Sequence, residues 1–201
     1  GLEEMDKIAS ETLDDTFRTA LSGDSKDYRE SSSSLMFAFI LALVLIYLIL
    51  AAQFESFKDP FIIMLTVPLA IAGALIFMFA GGITMNIFSQ IGIIMLIGLV
   101  AKNGILIVEF ANLKQESGED KMAAIRNAAL QRLRPILMTS VSTILGLIPL
   151  AFATGEGANQ RIAMGTAVVG GMLVSTLLTM YIVPAIYTYI STNRKVKTET
   201  V

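Results

Sequence analysis

Five stretches of the chain are long and apolar enough to cross a bilayer: 35–52 ("LMFAFILALVLIYLILAA"), 60–80, 87–111, 135–153 and 162–190. A hydrocarbon layer about 30 Å thick needs about 20 apolar residues when crossed as a helix. No water is present there to satisfy backbone N–H and C=O groups, so a spanning segment must be a helix or a strand of a closed barrel. The runs are longer than barrel strands and do not alternate apolar with polar residues. The expected fold class is therefore all-α: a polytopic membrane bundle of five transmembrane helices. Composition agrees, with 54% apolar and only 16% charged residues, far from the balance of a soluble domain.

The first run is short and is expected to begin within Ser31–Ser34, whereas the fifth is long enough to tilt or to extend past the bilayer. Pro60 and Pro135 are read as span starts, where a missing N–H is harmless. Pro68, Pro149 and Pro184 fall within or near the ends of spans. An odd number of spans puts the two ends of the chain on opposite sides. The connection 112–134 carries Lys114, Lys121, Arg126, Arg132 and Arg134, the tail carries Arg194, Lys195 and Lys197, and the link 53–59 carries Lys58. The opposite connections, 81–86 and 154–161, carry only Arg161. The positive-inside rule then places the basic connections and the tail 191–201 in the cytoplasm. Residues 1–34, with nine acidic and four basic side chains, are expected outside. Within them Leu2, Met5, Ile8, Ala9 and Leu13 keep helical spacing, and "TFRTALSG" fits a short strand. Residues 119–134 have Met122, Ile125, Ala129, Leu130 and Leu133 at helical intervals, which predicts an amphipathic helix along the cytoplasmic face.

Several function classes are disfavoured. Without Cys there are no disulfides, and without Cys or His a transition-metal site within this chain is not expected. The eleven Met are read as fillers of an apolar bundle. A net charge of −2 offers nucleic acid nothing. The beginning, "GLEEMDKIAS", is not a signal peptide and starts with Gly, so a trimmed piece of a longer chain is expected.

The stretch "GLVAKNGILIVEF" (98–110) places Lys102 about 15 residues into the third span, ~22 Å along it at 1.5 Å per residue. A cation there costs roughly 2.5–3.5 kcal/mol on insertion scales, so it needs a partner. Glu109 lies nearly on the same helical face but about 10 Å along the axis, which is too far for a direct pair. It is expected at the cytoplasmic boundary. Spans one, two, four and five carry no Asp or Glu at membrane depth. The carboxylate that Lys102 requires is therefore expected on a segment outside this chain, as in a proton or ion relay. The alternatives are a lysine satisfied by carbonyls and Asn103, or one lining a water-filled cleft. Arg132 and Thr139, seven residues apart, share a face if the helix runs through Pro135, and Ser140, Ser142 and Thr143 add hydroxyls. Gly92, Gly98, Gly104, Gly165, Gly170 and Gly171 are expected at close helix contacts.

Four motifs, "LAAQFESFKDPFIIMLTVPLAIAGAL", "GLVAKNGILIVEFAN", "RLRPILMTSVSTILGLIPLAFATGEG" and "GTAVVGGMLVSTLLTMYIVPAIY", occur in this order. Together they resemble the resistance–nodulation–division transporters, and most of all the hydrophobe/amphiphile efflux branch of Gram-negative inner membranes. The resemblance runs from about Thr19 to Tyr189. It implies a C-terminal fragment matching spans eight to twelve of a twelve-span chain, with residues 1–34 ending a periplasmic porter subdomain. It implies that Lys102 faces two adjacent aspartates on the fourth span, in the N-terminal half that this chain lacks. Arg132 and Thr139 match relay residues, with Asn103, Ser140 and Glu109 as supporting polar groups. The implied activity is proton/substrate antiport, driven by the proton gradient without a cofactor, by a homotrimer working with a periplasmic adaptor protein and an outer-membrane channel. Competing readings are a branch exporting metal ions or lipids, a structural subunit in which Lys102 sets helix packing, and an intramembrane enzyme. The last finds no Ser–Lys or paired-Asp constellation at fitting spacing.

Overall fold

Burying backbone polar groups in hydrocarbon leaves helices as the solution for each apolar run, and helices are what the chain forms. The structure, a computed structural model, describes residues 2–12 and 24–191. Helix α1 (Leu2–Thr12) is followed by α2 (Asp24–Phe54), α3 (Lys58–Met64), α4 (Thr66–Ala80), α5 (Ile87–Glu116), α6 (Lys121–Ala151) and α7 (Ala158–Ile190). No strand occurs among the described residues. The expected strand "TFRTALSG", Leu13 and the basic residues of the tail lie outside them. Five segments, Ser34–Phe54, Lys58–Ala80, Ile87–Glu116, Lys121–Ala151 and Ala158–Ile190, are long and apolar enough to span a membrane. The chain is a multi-pass, all-α membrane protein.

Two proline effects reshape the expected spans. The second span is not one helix but two, α3 and α4, meeting at Leu65. Pro68 has no N–H to give the carbonyl of Met64 and its ring crowds that group, so regular helix breaks there. The Leu65 N–H still reaches the Phe61 carbonyl at 3.2 Å, and the Thr66 hydroxyl donates to the Ile63 carbonyl at 2.7 Å. Pro135, by contrast, does not start a helix. It lies inside α6, which runs without interruption from Lys121 to Ala151. At 31 residues and 1.5 Å per residue this helix is about 46 Å long, so it extends well beyond the hydrocarbon layer. Residues 121–134 are thus the first turns of the same rod as the fourth span.

The helix starts are chemically marked. Asn86 caps α5 through a reciprocal box: its side chain accepts from the Ser89 N–H at 2.9 Å, and Ser89 Oγ accepts from the Asn86 N–H at 2.8 Å. Asp120 caps α6 by accepting from the Met122 N–H at 3.1 Å. In the turn before it, Glu119 accepts from Lys114 Nζ at 2.7 Å and from Asn127 Nδ2 at 2.9 Å. These contacts, Lys114 first, hold the Glu119 carboxyl below its ordinary value of 4.5.

Helix α7 is the centre of the packing and lies against α4, α5 and α6. Its glycines explain how three neighbours fit. A Cβ built on Gly165 would sit 2.6 Å from the Ala151 backbone nitrogen of α6. On Gly170 it would sit 2.3 Å from Phe77 Cβ of α4, and on Gly171 2.2 Å from Leu96 Cδ2 of α5. Gly92 and Gly104 make tight but less extreme approaches, 3.0 Å from the Met164 carbonyl oxygen and 3.2 Å from Ile63 Cγ2. Gly98 does not fit the expectation: it faces outward and nothing lies within 4 Å of its missing Cβ. The methionines also divide. Met78 and Met172 fill the core, but Met36, Met95, Met122 and Met138 lie on the outside.

The interior has two apolar clusters stacked along the bundle axis. One gathers Phe54, Ile62, Ile107, Val108, Ile125, Ile136, Val183 and Tyr187 near the α2–α3 and α5–α6 turns. The other gathers Ala70, Ala74, Ile93, Leu96, Val100, Val168 and Met172 toward the opposite end. Helix α2 stands largely outside both, with Phe37 69% exposed and Ile40, Val44 and Leu48 also turned outward.

Because the obstacle at Gly165 is backbone rather than a movable side chain, Gly165→Ala should force α6 and α7 apart. We expect a destabilisation of about 1–3 kcal/mol, the usual range for overpacking, read as a lowered melting temperature in detergent. Gly98→Ala in the same assay should leave melting unchanged. Equal effects at the two positions would contradict the packing described.

Candidate functional site

A charge on a membrane helix has to be turned toward a partner, a cavity or another protein surface. Lys102 is turned outward. It belongs to an exposed stripe of α5 comprising Ile91, Met95, Gly98, Lys102, Glu109 and Leu113. These residues recur at steps of three, four and seven, so they form one face of the helix. Among the described residues Lys102 makes no ion pair or hydrogen bond. Glu109 is on the same stripe and is also exposed.

The residues after Lys102 and Thr139 face the other way. Asn103 of α5 is 3% exposed, Ser140 of α6 2% and Thr176 of α7 4%. Asn103 Nδ2 donates to Ser140 Oγ at 3.2 Å and to Thr176 Oγ1 at 3.4 Å, and the Thr176 hydroxyl donates to Ser140 Oγ at 3.2 Å. Three helices thus meet through one closed polar triangle. One turn further along α7, Thr179 is buried and its hydroxyl has no partner among the described residues.

Thr139 is exposed, and its hydroxyl donates to the Ile136 carbonyl of its own helix at 3.1 Å. Arg132 is half-buried, and its guanidinium lies over the Phe110 ring of α5, 4.3 Å from the centroid. That distance suits a cation–π contact. The Arg132 Nε is buried without a hydrogen-bond partner among the described residues. Because α6 continues through Pro135, Arg132 and Thr139 are carried on one rigid rod. Lys102, Arg132 and Thr139 do not bond one another. The packing of α5, α6 and α7 joins their neighbours Asn103 and Ser140 and leaves Lys102 and Thr139 on the outer surface. No group of three or more carboxylate, His or Cys side chains that could hold a metal occurs among the described residues.

A second polar cluster lies where α3, α5 and α7 meet the turns. Asp59, assigned from sequence to an extramembrane link, is only 2% exposed. Its Oδ2 accepts from Asn112 Nδ2 at 3.0 Å and its Oδ1 from Ser191 Oγ at 3.2 Å. The Tyr187 hydroxyl donates to Asn112 Oδ1 and accepts from Gln115 Nε2 at 2.7 Å. Sequence reasoning did not identify this cluster or Thr176. Asn112 and Gln115 past the apolar run of α5, and an Asp directly before Pro60, were the available signals. Thr176 is one of four threonines in its apolar helix, and nothing in the sequence sets it apart from the others.

The sequence model of the AcrB/AcrD/AcrF family matches residues 2–191. An uncharacterized transporter of Haemophilus influenzae is 40% identical over 198 residues, 95% of this chain and 19% of its own length. The multidrug resistance protein MdtF of Escherichia coli K12 is 44% identical over 158 residues, 78% of this chain and 15% of that protein. The toluene efflux pump membrane transporter TtgB of Pseudomonas putida is 39% identical over 191 residues, 95% of this chain and 18% of its own. The chain spans less than a fifth of the length of each.

The cluster around Tyr187 generates a stability prediction. Tyr187→Phe keeps the ring but removes the hydroxyl bonded to Asn112 and Gln115, a loss that typically costs about 1–3 kcal/mol where a buried polar group goes unmatched. A lowered melting temperature is expected. Unchanged melting would show that the hydroxyl bonds contribute nothing net.

Proposed function

The chain belongs to the AcrB/AcrD/AcrF family of resistance–nodulation–division transporters, and from that premise we propose that it is part of an inner-membrane proton/substrate antiporter exporting drugs or other amphiphilic compounds. The observation that carries this reading is the position of Lys102: deep in a spanning helix, on an outward face, without a partner among the described residues. Such a cation is expensive in lipid and inexpensive opposite a carboxylate. In the proposed assembly the face bearing Lys102 and Thr139 packs against the N-terminal half of the longer protein, whose two span-four aspartates supply the anions. The names of MdtF and TtgB, a multidrug resistance protein and a toluene efflux pump, support an apolar or amphiphilic cargo.

The mechanism follows from charge. With the aspartates ionised, Lys102 Nζ donates charge-assisted hydrogen bonds to them. A proton entering from the periplasm neutralises one carboxylate, weakens that attraction and frees the ammonium to swing away. Arg132 and Thr139, fixed on the single rod of α6, meet the same interface and follow the change. Each elementary charge moved through 100 mV contributes about 2.3 kcal/mol. Glu109, toward the cytoplasmic end of the stripe, lies on the side where the proton leaves. The working unit is a homotrimer joined by a periplasmic adaptor protein and an outer-membrane channel. The N-terminal end of the present chain is periplasmic and its C-terminal end cytoplasmic, in keeping with the loop charges.

Lys102→Ala in the full-length transporter tests this. Proton-gradient-driven dye efflux should fall to background while membrane abundance and trimer content stay normal. Normal efflux from that variant would remove Lys102 from coupling, and lost assembly would make the lysine a packing residue.

A further inference from the structure

The two apolar clusters of the bundle do not merge. On α5 the boundary falls at Val100 and Ala101, which belong to different clusters. On α7 it falls between Met172 and Val183. The Asn103–Ser140–Thr176 triangle occupies this boundary, so the middle of an otherwise apolar interface is polar. Packing alone does not require it, because valine has nearly the shape of threonine. Hydrogen bonds in a low-dielectric interior are directional, and a closed network specifies one arrangement more sharply than apolar contact does.

The triangle's vertices are informative. Asn103 directly follows Lys102, and Ser140 directly follows Thr139. One residue step turns a helix by about 100°. Holding Asn103 inward therefore turns Lys102 away from α7, and holding Ser140 inward does the same for Thr139; both are exposed accordingly. The third vertex belongs to α7, the helix against which α4, α5 and α6 all pack. The Thr176 hydroxyl donates to α6 and accepts from α5, so it ties α7 to both.

We propose that Thr176 is a positioning residue for the coupling relay: its hydroxyl fixes the rotation of α5 and α6 about their axes, and so the directions in which Lys102 and Thr139 point. This rests on the relay reading of Lys102. Thr176 itself meets no proton and no cargo. When the relay changes state, the triangle is the point about which α5 and α6 keep or change their mutual rotation.

The test uses the full-length transporter with Thr176→Val, Thr176→Ser, Ser140→Ala and Lys102→Ala. Efflux per folded transporter is measured across a range of external pH, together with abundance and melting. Thr176→Val should lose efflux roughly tenfold or more, as misplacement of a reacting group by about 1 Å does elsewhere, and should shift the pH profile. Thr176→Ser, which restores the hydroxyl, should recover both. Combining Thr176→Val with Ser140→Ala should lose little beyond either alone, since both open the same network. If Lys102→Ala abolishes efflux while Thr176→Val keeps wild-type efflux and pH profile, the positioning role is wrong and the relay stands. If Lys102→Ala retains efflux, the relay reading falls and the positioning role with it. Should Thr176→Val fold poorly, Ser140→Ala carries the measurement. Reduced abundance in both variants with wild-type efflux per folded transporter would make the triangle a packing feature only, which also overturns the proposal.

Discussion

The approach of three helices to the glycine face of α7 is the contact on which the rest of the bundle depends. Gly165 and Gly170 admit α6 and α4 to distances that a methyl group would forbid, and Gly171 leaves room for the Leu96 side chain of α5. Lipid tails are as apolar as leucine, so no hydrophobic force drives these helices together within the bilayer. Dispersion at close range and a few hydrogen bonds must do so, and both need small residues at the crossing points. Once α7 is seated, α5 and α6 are brought side by side. Asn103, Ser140 and Thr176 can then bond across all three helices.

This packing is one-sided. The inner faces of α4, α5 and α7 are buried against each other, whereas α2 and the outer faces of α5 and α6 are not. Lys102 and Thr139 stand on that open side with Gly98 and its empty surroundings. A membrane protein does not leave a lysine at this depth toward lipid without reason. In the proposed assembly, this exposed lysine, the small residue one turn away and the hydroxyl on the adjacent helix form one half of an interface. The relatives, each more than five times longer than the matched segment, have ample chain to supply the other half.

Much of the fold is legible in the sequence because hydrocarbon imposes a simple rule on length and polarity. The five spans can be located from apolar runs alone. Their breaks are less legible, because a proline acts differently in different surroundings. Pro68 splits a span at Leu65, whereas Pro135 is carried inside the continuous helix α6. Glycine content points to close contacts but not to which glycines make them: Gly92 and Gly165 do, and Gly98 does not. The charged member of the candidate site is legible because a lone cation in an apolar run is conspicuous. The groups that orient it are not, since Thr176 looks like any other threonine until α6 and α7 are in place. Asp59 is misleading in the opposite sense. Its position beside Lys58 and Pro60 suggests a solvated turn, yet the fold buries it against Asn112 and Ser191.

In the proposed mechanism Lys102 faces a carboxylate contributed from outside these five spans. The most direct measurement is a structure of the full-length transporter in lipid at a resolution that shows side chains. The expected result is an aspartate or glutamate oxygen from the N-terminal half within about 4 Å of Lys102 Nζ, the range of an ion pair, in at least one protomer state. A lysine directed into lipid or open water in every protomer, with no acidic side chain on the facing helices, would contradict it.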